Sequence, residues 1–189
     1  MSDGSKYSKS EIESYVKKQT FSDPICGFDH CKRVYEAAKK LGRNYDDEVL
    51  HAACFLHDIK ALAKDHHLRS ADTAEALTKD KLPLHKVLEV REAIKNHGIE
   101  GKPKSPEAIL LHDADLLDYL GAVGTVRLLM AAKEWYGKQG IYESIKLIKN
   151  LKDRISKALI LNQSKSRAAD LLNTMDIFIA ELEEELDGN

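Results

Sequence analysis

The sequence predicts an all-α protein. Apolar residues recur at spacings of three and four through most of the chain, and period-two alternation with β-branched residues never holds long enough for a strand. Capping residues, glycines and prolines fall between the periodic stretches. With 189 residues, 43% of them hydrophobic, the chain can bury a core as one domain. A formal net charge of -2, with acids and bases interspersed, gives no basic stripe for a nucleic-acid backbone, so no nucleic-acid polymer is expected as a partner. Met1 to Lys6 lacks an apolar signal core, and no apolar run nears the roughly 20 residues that span a bilayer. A cytoplasmic protein without membrane contact is expected. Cys26, Cys31 and Cys54 follow no disulfide framework and read as reduced thiols.

The first helix is expected from about Asp29 to Leu41, stopping at Gly42, with Val34, Ala37, Ala38 and Leu41 as its apolar stripe and His30 on that stripe. A second starts near Asp46, a good N-cap followed by Asp47 and Glu48, and reaches about Ile59. Leu50, Ala53, Cys54 and His57 share one of its faces. Leu68–Leu77 reads as a short helix. Pro83 opens a longer one ending at His97-Gly98, along which Val87, Val90, Ile94 and His97 align.

After the loop Gly98–Lys104, Ser105-Pro106-Glu107 is a strong helix start. The helix that follows, through Leu120, is apolar on most sides yet carries three aspartates, so it is expected to be central. Gly121, Ala122 and Gly124 permit close packing before a helix through Met130. Beyond a turn at Gly137–Gly140, two more helices are expected, about Tyr142–Leu161 and Lys165–Leu186, the last ending in the acidic run Glu181–Asp187. His51 and His85 read as hydrogen-bonded core histidines, and Trp135-Tyr136 as packing or part of a lid.

The doublet His57-Asp58 closes an apolar stretch, and a buried carboxylate needs a partner. A metal ion is one such partner. Three separated helices each carry metal-competent residues at apolar positions: His30, His57-Asp58, and Asp113 or Asp115. Imidazole plus carboxylate suits zinc, manganese or iron and leaves positions open for water. Adjacent helical residues project about 100° apart, so His57 and Asp58 can share an ion only near a helix end.

The series His30, His57-Asp58 and Asp-Ala-Asp-Leu-Leu-Asp (113–118) resembles the HD-domain superfamily of metal-dependent phosphohydrolases, named for that doublet. Supporting matches are Asp29-His-Cys-Lys-Arg-Val34, His67-Leu-Arg-Ser-Ala71, Ile94-Lys-Asn-His97 and Leu120-Gly-Ala-Val-Gly-Thr-Val-Arg127. The resemblance covers about Phe28 to Arg127. It implies one helical HD domain over 1–189, with a core at about 28–130 and helices at about 141–187 packed on it. It also implies His30, His57, Asp58 and Asp115 as ligands of a divalent ion (Mn, Fe, Co, Ni, Zn or Mg). Asp113, Asp118 and His112 are nearby alternatives. His67 and His97 fall where some members hold a second ion.

Relatives that carry an acidic residue soon after the doublet use it as general base, and here the doublet is followed by Ile59-Lys-Ala-Leu62. Asp65 and His66 are then the nearest candidates, with Asp58 itself or ion-activated water as alternatives. Arg33, Lys60, Lys64 and Arg127 are candidates for neutralising substrate phosphate, Arg33 being one turn from His30. Arg127 is equally open to a structural ion pair, for instance with Asp118.

The implied activity is metal-dependent hydrolysis of a small phosphate ester or anhydride, with a nucleotide favoured: a phosphomonoesterase, phosphodiesterase or pyrophosphohydrolase. A homo-oligomer is compatible with it. The rival from another class is a catalytically inactive metal-binding or nucleotide-sensing HD domain. A zinc site from Cys26, Cys31 and His30 fits poorly, since Cys26-x4-Cys31 is not a usual zinc spacing.

Overall fold

The computed structural model describes residues 6–137 and 140–188, and among these it is helical with no strand. In order the helices are α1 Lys9–Gln19, α2 Phe28–Leu41, α3 Asp47–Leu56, α4 His66–Thr78, α5 Leu84–Lys95, α6 Pro106–Asp118, α7 Gly121–Glu134, α8 Ile141–Ala158 and α9 Asn162–Leu186. Residues 138 and 139 of the expected Gly137–Gly140 turn, and the first five residues of the N-terminal segment, lie outside the described residues. No helix is long and apolar enough to cross a membrane among the described residues. Packing divides the chain into two compact units, one ending at Asp115 and one beginning at Leu116.

In the first unit α3 is the central element. Every residue from Val49 to Leu56 is buried, and α1, α2, α4 and α5 all pack against it. Its start is fixed as expected: the Asp46 carboxylate accepts from the amides of Glu48 (3.0 Å) and Val49 (3.1 Å), satisfying two donors that have no intrahelical partner. Lys86 reaches back from α5 to Asp46 (2.9 Å) and Glu48 (2.6 Å).

Burial alone would raise the Asp46 pKa, but Lys86 and the capped amides outweigh it and hold the carboxyl below its usual 3.8. A folded pKa below the unfolded one contributes stability above the unfolded value and loses it as pH falls through the folded value. Asp46→Ala is therefore expected to cost about 1 kcal/mol near neutral pH. In urea unfolding the gap between variant and wild type should close in acid, below about pH 4. A gap that persists there would remove the cap as its cause.

α1 is an element the sequence reading did not anticipate. Only Ile12 and Val16 are buried on it, so its apolar stripe is too thin to stand out. Polar contacts tie it down instead. Lys9 bonds the Tyr35 hydroxyl (3.0 Å) and the Asp47 carboxylate, while the fully buried His51 faces Tyr7 Oη (2.7 Å) and Glu13 Oε1 (3.1 Å). His51 is thus the satisfied core histidine expected of it. His85, by contrast, is exposed on α5 and belongs to no core.

Three helix ends differ from expectation in a way that shapes the site. α3 stops at Leu56 rather than Ile59, and α5 stops at Lys95 rather than His97. α4 begins at His66 rather than Leu68, after Asp65 adopts a left-handed conformation (φ 59°) that short polar side chains tolerate. His57-Asp58, His66-His67 and His97 consequently all lie at helix termini. α6 starts as expected, Ser105 Oγ accepting from the Ala108 amide (3.2 Å).

The second unit packs α7 against α8 and α9. Ile145, Ile148, Leu151 and Ile155 form the buried face of α8, and Ala168, Met175 and Ile179 that of α9.

Candidate metal centre

A helix end leaves backbone carbonyls without intrahelical donors. The chain uses two of them to aim imidazoles. His57, one residue past α3, donates from Nδ1 to the Cys54 carbonyl (2.9 Å), and His97, two residues past α5, donates from Nδ1 to the Ile94 carbonyl (2.6 Å). Each ring therefore turns its Nε2 inward, the arrangement by which second-shell carbonyls orient metal-binding histidines.

His57 Nε2 meets His30 Nε2 of α2 at 3.1 Å. Around this pair lie Asp115 Oδ1 of α6, 3.3 Å from His30 and 3.6 Å from His57, and Asp58 Oδ2, 3.8 Å from His30 and 3.5 Å from His57. All four side chains are at least 95% buried. Asp115 Oδ1 is buried and makes no hydrogen bond. A buried carboxylate oxygen in that state, facing two imidazole nitrogens, fits a missing cation. Two imidazoles and two carboxylates are also the donor set that divalent ions of the zinc, iron and manganese group accept.

Asp58 faces two ways. Its Oδ1 lies 3.5 Å from His97 Nε2 and 3.7 Å from His66 Nε2, on the side away from the oxygen shared with His30 and His57. His66, His67 and His97 present ring nitrogens at mutual distances suited to one ion. Here too a polar atom is orphaned, since His67 Nδ1 is buried without a partner. Sequence reasoning placed His67 and His97 in this second cluster and took His66 for a base; the structure puts all three together.

Burial alone would lower the pKa of His57, but the adjacent Asp58 and Asp115 carboxylates overcome it and push it up to about 9. The same carboxylates, though buried, are held well below the usual range, Asp58 by His57 and His97 and Asp115 by His30 and His57. The centre thus favours positive charge between two carboxylates. His66 behaves oppositely: burial, reinforced by its neighbours His67, His97 and His57, lowers it to about 4 against the pull of Asp58.

The remaining candidates separate. Asp65 is exposed, Lys60 and Lys64 are exposed in the turns after the doublet, and Arg33 is half-buried on α2 one turn beyond His30. Arg127 is 3% exposed, donates to the Asp118 carbonyl (3.0 Å) and carboxylate (2.8 Å), and lies over the Tyr119 ring. That is the ion pair that the sequence left open, and it lies in the second unit. His112 and Asp113 face each other at 3.1 Å.

Cys26 is a residue that sequence reasoning weighed only in a zinc site with Cys31 and His30 and set aside. Its sulfur lies within ligand spacing of His30 and Asp58, not of a zinc site shared with Cys31. The signal was a turn: Asp23, before Pro24, accepts from the Ile25 (2.8 Å) and Cys26 (2.9 Å) amides and folds the loop onto the start of α2.

Residues 27–120, which contain all of these histidines and aspartates except Cys26's loop, match the HD domain family. The chain belongs to the HD-domain superfamily. It is accordingly a metal-dependent hydrolase, and the His/Asp cluster in its core is the feature that fits such an ion. No curated protein matches the sequence. Among solved structures, an HD-superfamily hydrolase from an uncultured Thermotogales bacterium is 25% identical with a TM-score of 0.67, over 94% of this chain and 92% of that one. Bacillus subtilis YpgQ is similar in fold at 22% identity and a TM-score of 0.76, over 95% of this chain and 96% of that one. YpgQ has also been solved in complex with ADP, and that structure matches at 19% identity with a TM-score of 0.70, over 96% of this chain and 99% of that one.

Proposed function

We propose that this HD domain hydrolyses a phosphate ester or anhydride of a small nucleotide, with His30, His57, Asp58 and Asp115 as the ligands of a divalent ion. The observation that carries this is the buried, hydrogen-bond-free Asp115 Oδ1 facing His30 and His57 beside Asp58. The ADP held by YpgQ supports a nucleotide as substrate. Once bound, the ion would polarise the phosphate and lower the pKa of attacking water.

The chain's own groups divide the remaining work. The Cys54 carbonyl keeps the His57 ring oriented through Nδ1. Where the second ion is absent, His66 is better placed than Asp65 to accept a proton, being half-buried with its Nε2 3.7 Å from Asp58 Oδ1, whereas Asp65 is exposed. Arg33, half-buried one turn beyond His30, and Lys60, exposed just after Asp58, are our candidates for contacting substrate phosphate, and Arg127 bonds Asp118. A second ion at His66, His67 and His97, sharing Asp58, is supported by the orphaned His67 Nδ1.

The test is a hydrolysis screen of nucleoside mono-, di- and triphosphates and cyclic nucleotides with Mn, Fe, Co, Ni, Zn and Mg, beside elemental analysis of the purified protein. Turnover with at least one metal is expected. Metal content should fall by one ion in His67→Ala and His97→Ala, and unchanged stoichiometry would eliminate the second ion. Tight nucleotide binding without turnover under every metal would favour the sensing alternative.

A further inference from the structure

Cys26 sits at the edge of the metal centre, on a short loop rather than a helix. Its side chain is buried at 1% exposure, and its amide is pinned by the Asp23 carboxylate. Gly27, next in the chain, packs closely against the loop, since a Cβ there would lie 2.2 Å from the Asp23 carbonyl oxygen. The sulfur is thereby fixed within ligand spacing of one donor atom each of His30 and Asp58. Cys31 and Cys54, equally buried, join no group of metal-ligand spacing among the described residues.

A thiolate in such a position changes which ion a site prefers. Magnesium and manganese favour oxygen donors, whereas zinc, cobalt and iron accept sulfur readily. The neighbouring group of His30, His57 and Asp115, which shares His30 with the Cys26 group, holds a carboxylate oxygen, Asp115 Oδ1, that is buried without a hydrogen bond, a sign that a cation belongs at this place.

We propose that Cys26 is a further ligand of the ion in this centre, its sulfur joining His30 and Asp58 and biasing the site toward thiophilic divalent metals over magnesium and manganese. On ligation the S–H bond breaks and its proton passes to solvent, a sulfur–metal bond forms, and one water leaves the ion. This inference rests on the ligand set proposed above. It assigns Cys26 a role in metal choice, with hydrolysis left to the His/Asp groups.

X-ray absorption of the zinc-loaded wild-type protein tests it without any variant. One sulfur scatterer at about 2.3 Å is expected beside nitrogen and oxygen scatterers at about 2.0–2.1 Å. The cobalt-loaded protein should likewise show a near-ultraviolet sulfur-to-cobalt charge-transfer band. That band should persist in Cys31→Ser and Cys54→Ser and vanish in Cys26→Ser, whose preference for zinc over manganese should fall about tenfold or more. If Cys26→Ser does not fold, retention of the band in both other variants assigns it to Cys26, because the chain has three cysteines. Stoichiometric zinc or cobalt with nitrogen and oxygen neighbours alone overturns the role of Cys26 and leaves the His/Asp site standing. Failure to take up zinc or cobalt, with manganese or magnesium bound, overturns the role of Cys26 alone, and failure to take up any of these metals overturns both.

Discussion

Replacing Asp58 by alanine is expected to lower metal-dependent hydrolysis by about a thousandfold or more, because the ion supplies several kcal/mol of transition-state stabilisation and each 1.36 kcal/mol is a factor of ten. Asp58 stands where its loss does most damage. One of its oxygens faces His30 and His57, and the other faces His66 and His97. Its removal takes a donor from both clusters and leaves Asp115 as the remaining carboxylate near His57. The ion that should stabilise the wild-type protein by mass action should then give the variant little or no rise in melting temperature. Asp58→Asn keeps the volume but not the charge, so it separates lost ligation from a packing defect. Metal titrations followed by differential scanning calorimetry, with kcat/KM measured on the same samples, check both effects. A variant that keeps its metal-induced stabilisation and its turnover would show that Asp58 is no ligand.

Most helices and the inward-facing histidines could be read from the sequence because each is a local signal, whereas the ligand set, and Asp115 over Asp113 in particular, rested on the family resemblance. Asp46 and Ser105 announce helix starts through side chains that reach their own amides. His30, His57 and Asp115 fall on apolar faces and so are carried inward. What could not be read depends on partners distant in sequence. α1 has few buried apolar residues and is held by bonds to Tyr35, Asp47 and His51, residues 26 to 38 positions away from their partners Lys9 and Glu13. The early ends of α3 and α5 have a local cause instead: His57 and His97 each bond a carbonyl three residues back, Cys54 and Ile94, while the apolar period alone runs straight through them. Arg127 had two outcomes open in sequence, and Asp118, nine positions earlier, took it. The proximity of Cys26 to His30 and Asp58 could not be read because a loop residue follows no helical period, and its position depends on the Asp23 turn.

Gly27→Ala is expected to be strongly destabilising, and the reason is steric rather than conformational. The residue has φ -73° and ψ -173°, which alanine adopts freely. The new Cβ, however, would lie 2.2 Å from the Asp23 carbonyl oxygen and 3.2 Å from that of Thr20. Both are backbone atoms, so no rotamer change relieves the clash. The loop is itself braced, Thr20 Oγ1 donating to the Val16 carbonyl (2.9 Å) and the Asp23 amide to the Thr20 carbonyl (3.0 Å). It must move as a body, or α2 must shift at its first turn, where the Cys31 amide bonds the Gly27 carbonyl (3.2 Å). Either movement reaches the centre, because His30 lies in that turn and Cys26 in that loop. A cost of about 3 kcal/mol follows from forcing atoms into packed space, equivalent to a fall in melting temperature of about 6–12 °C for a chain of this length. Gly140, with nothing within 4 Å of its Cβ position, provides the control. Gly140→Ala should change stability by less than about 1 kcal/mol and leave metal affinity untouched, whereas Gly27→Ala should weaken both. Equal melting temperatures for the two variants would mean that the 20–27 loop yields without cost, and with it would go the case that this loop holds Cys26 in place.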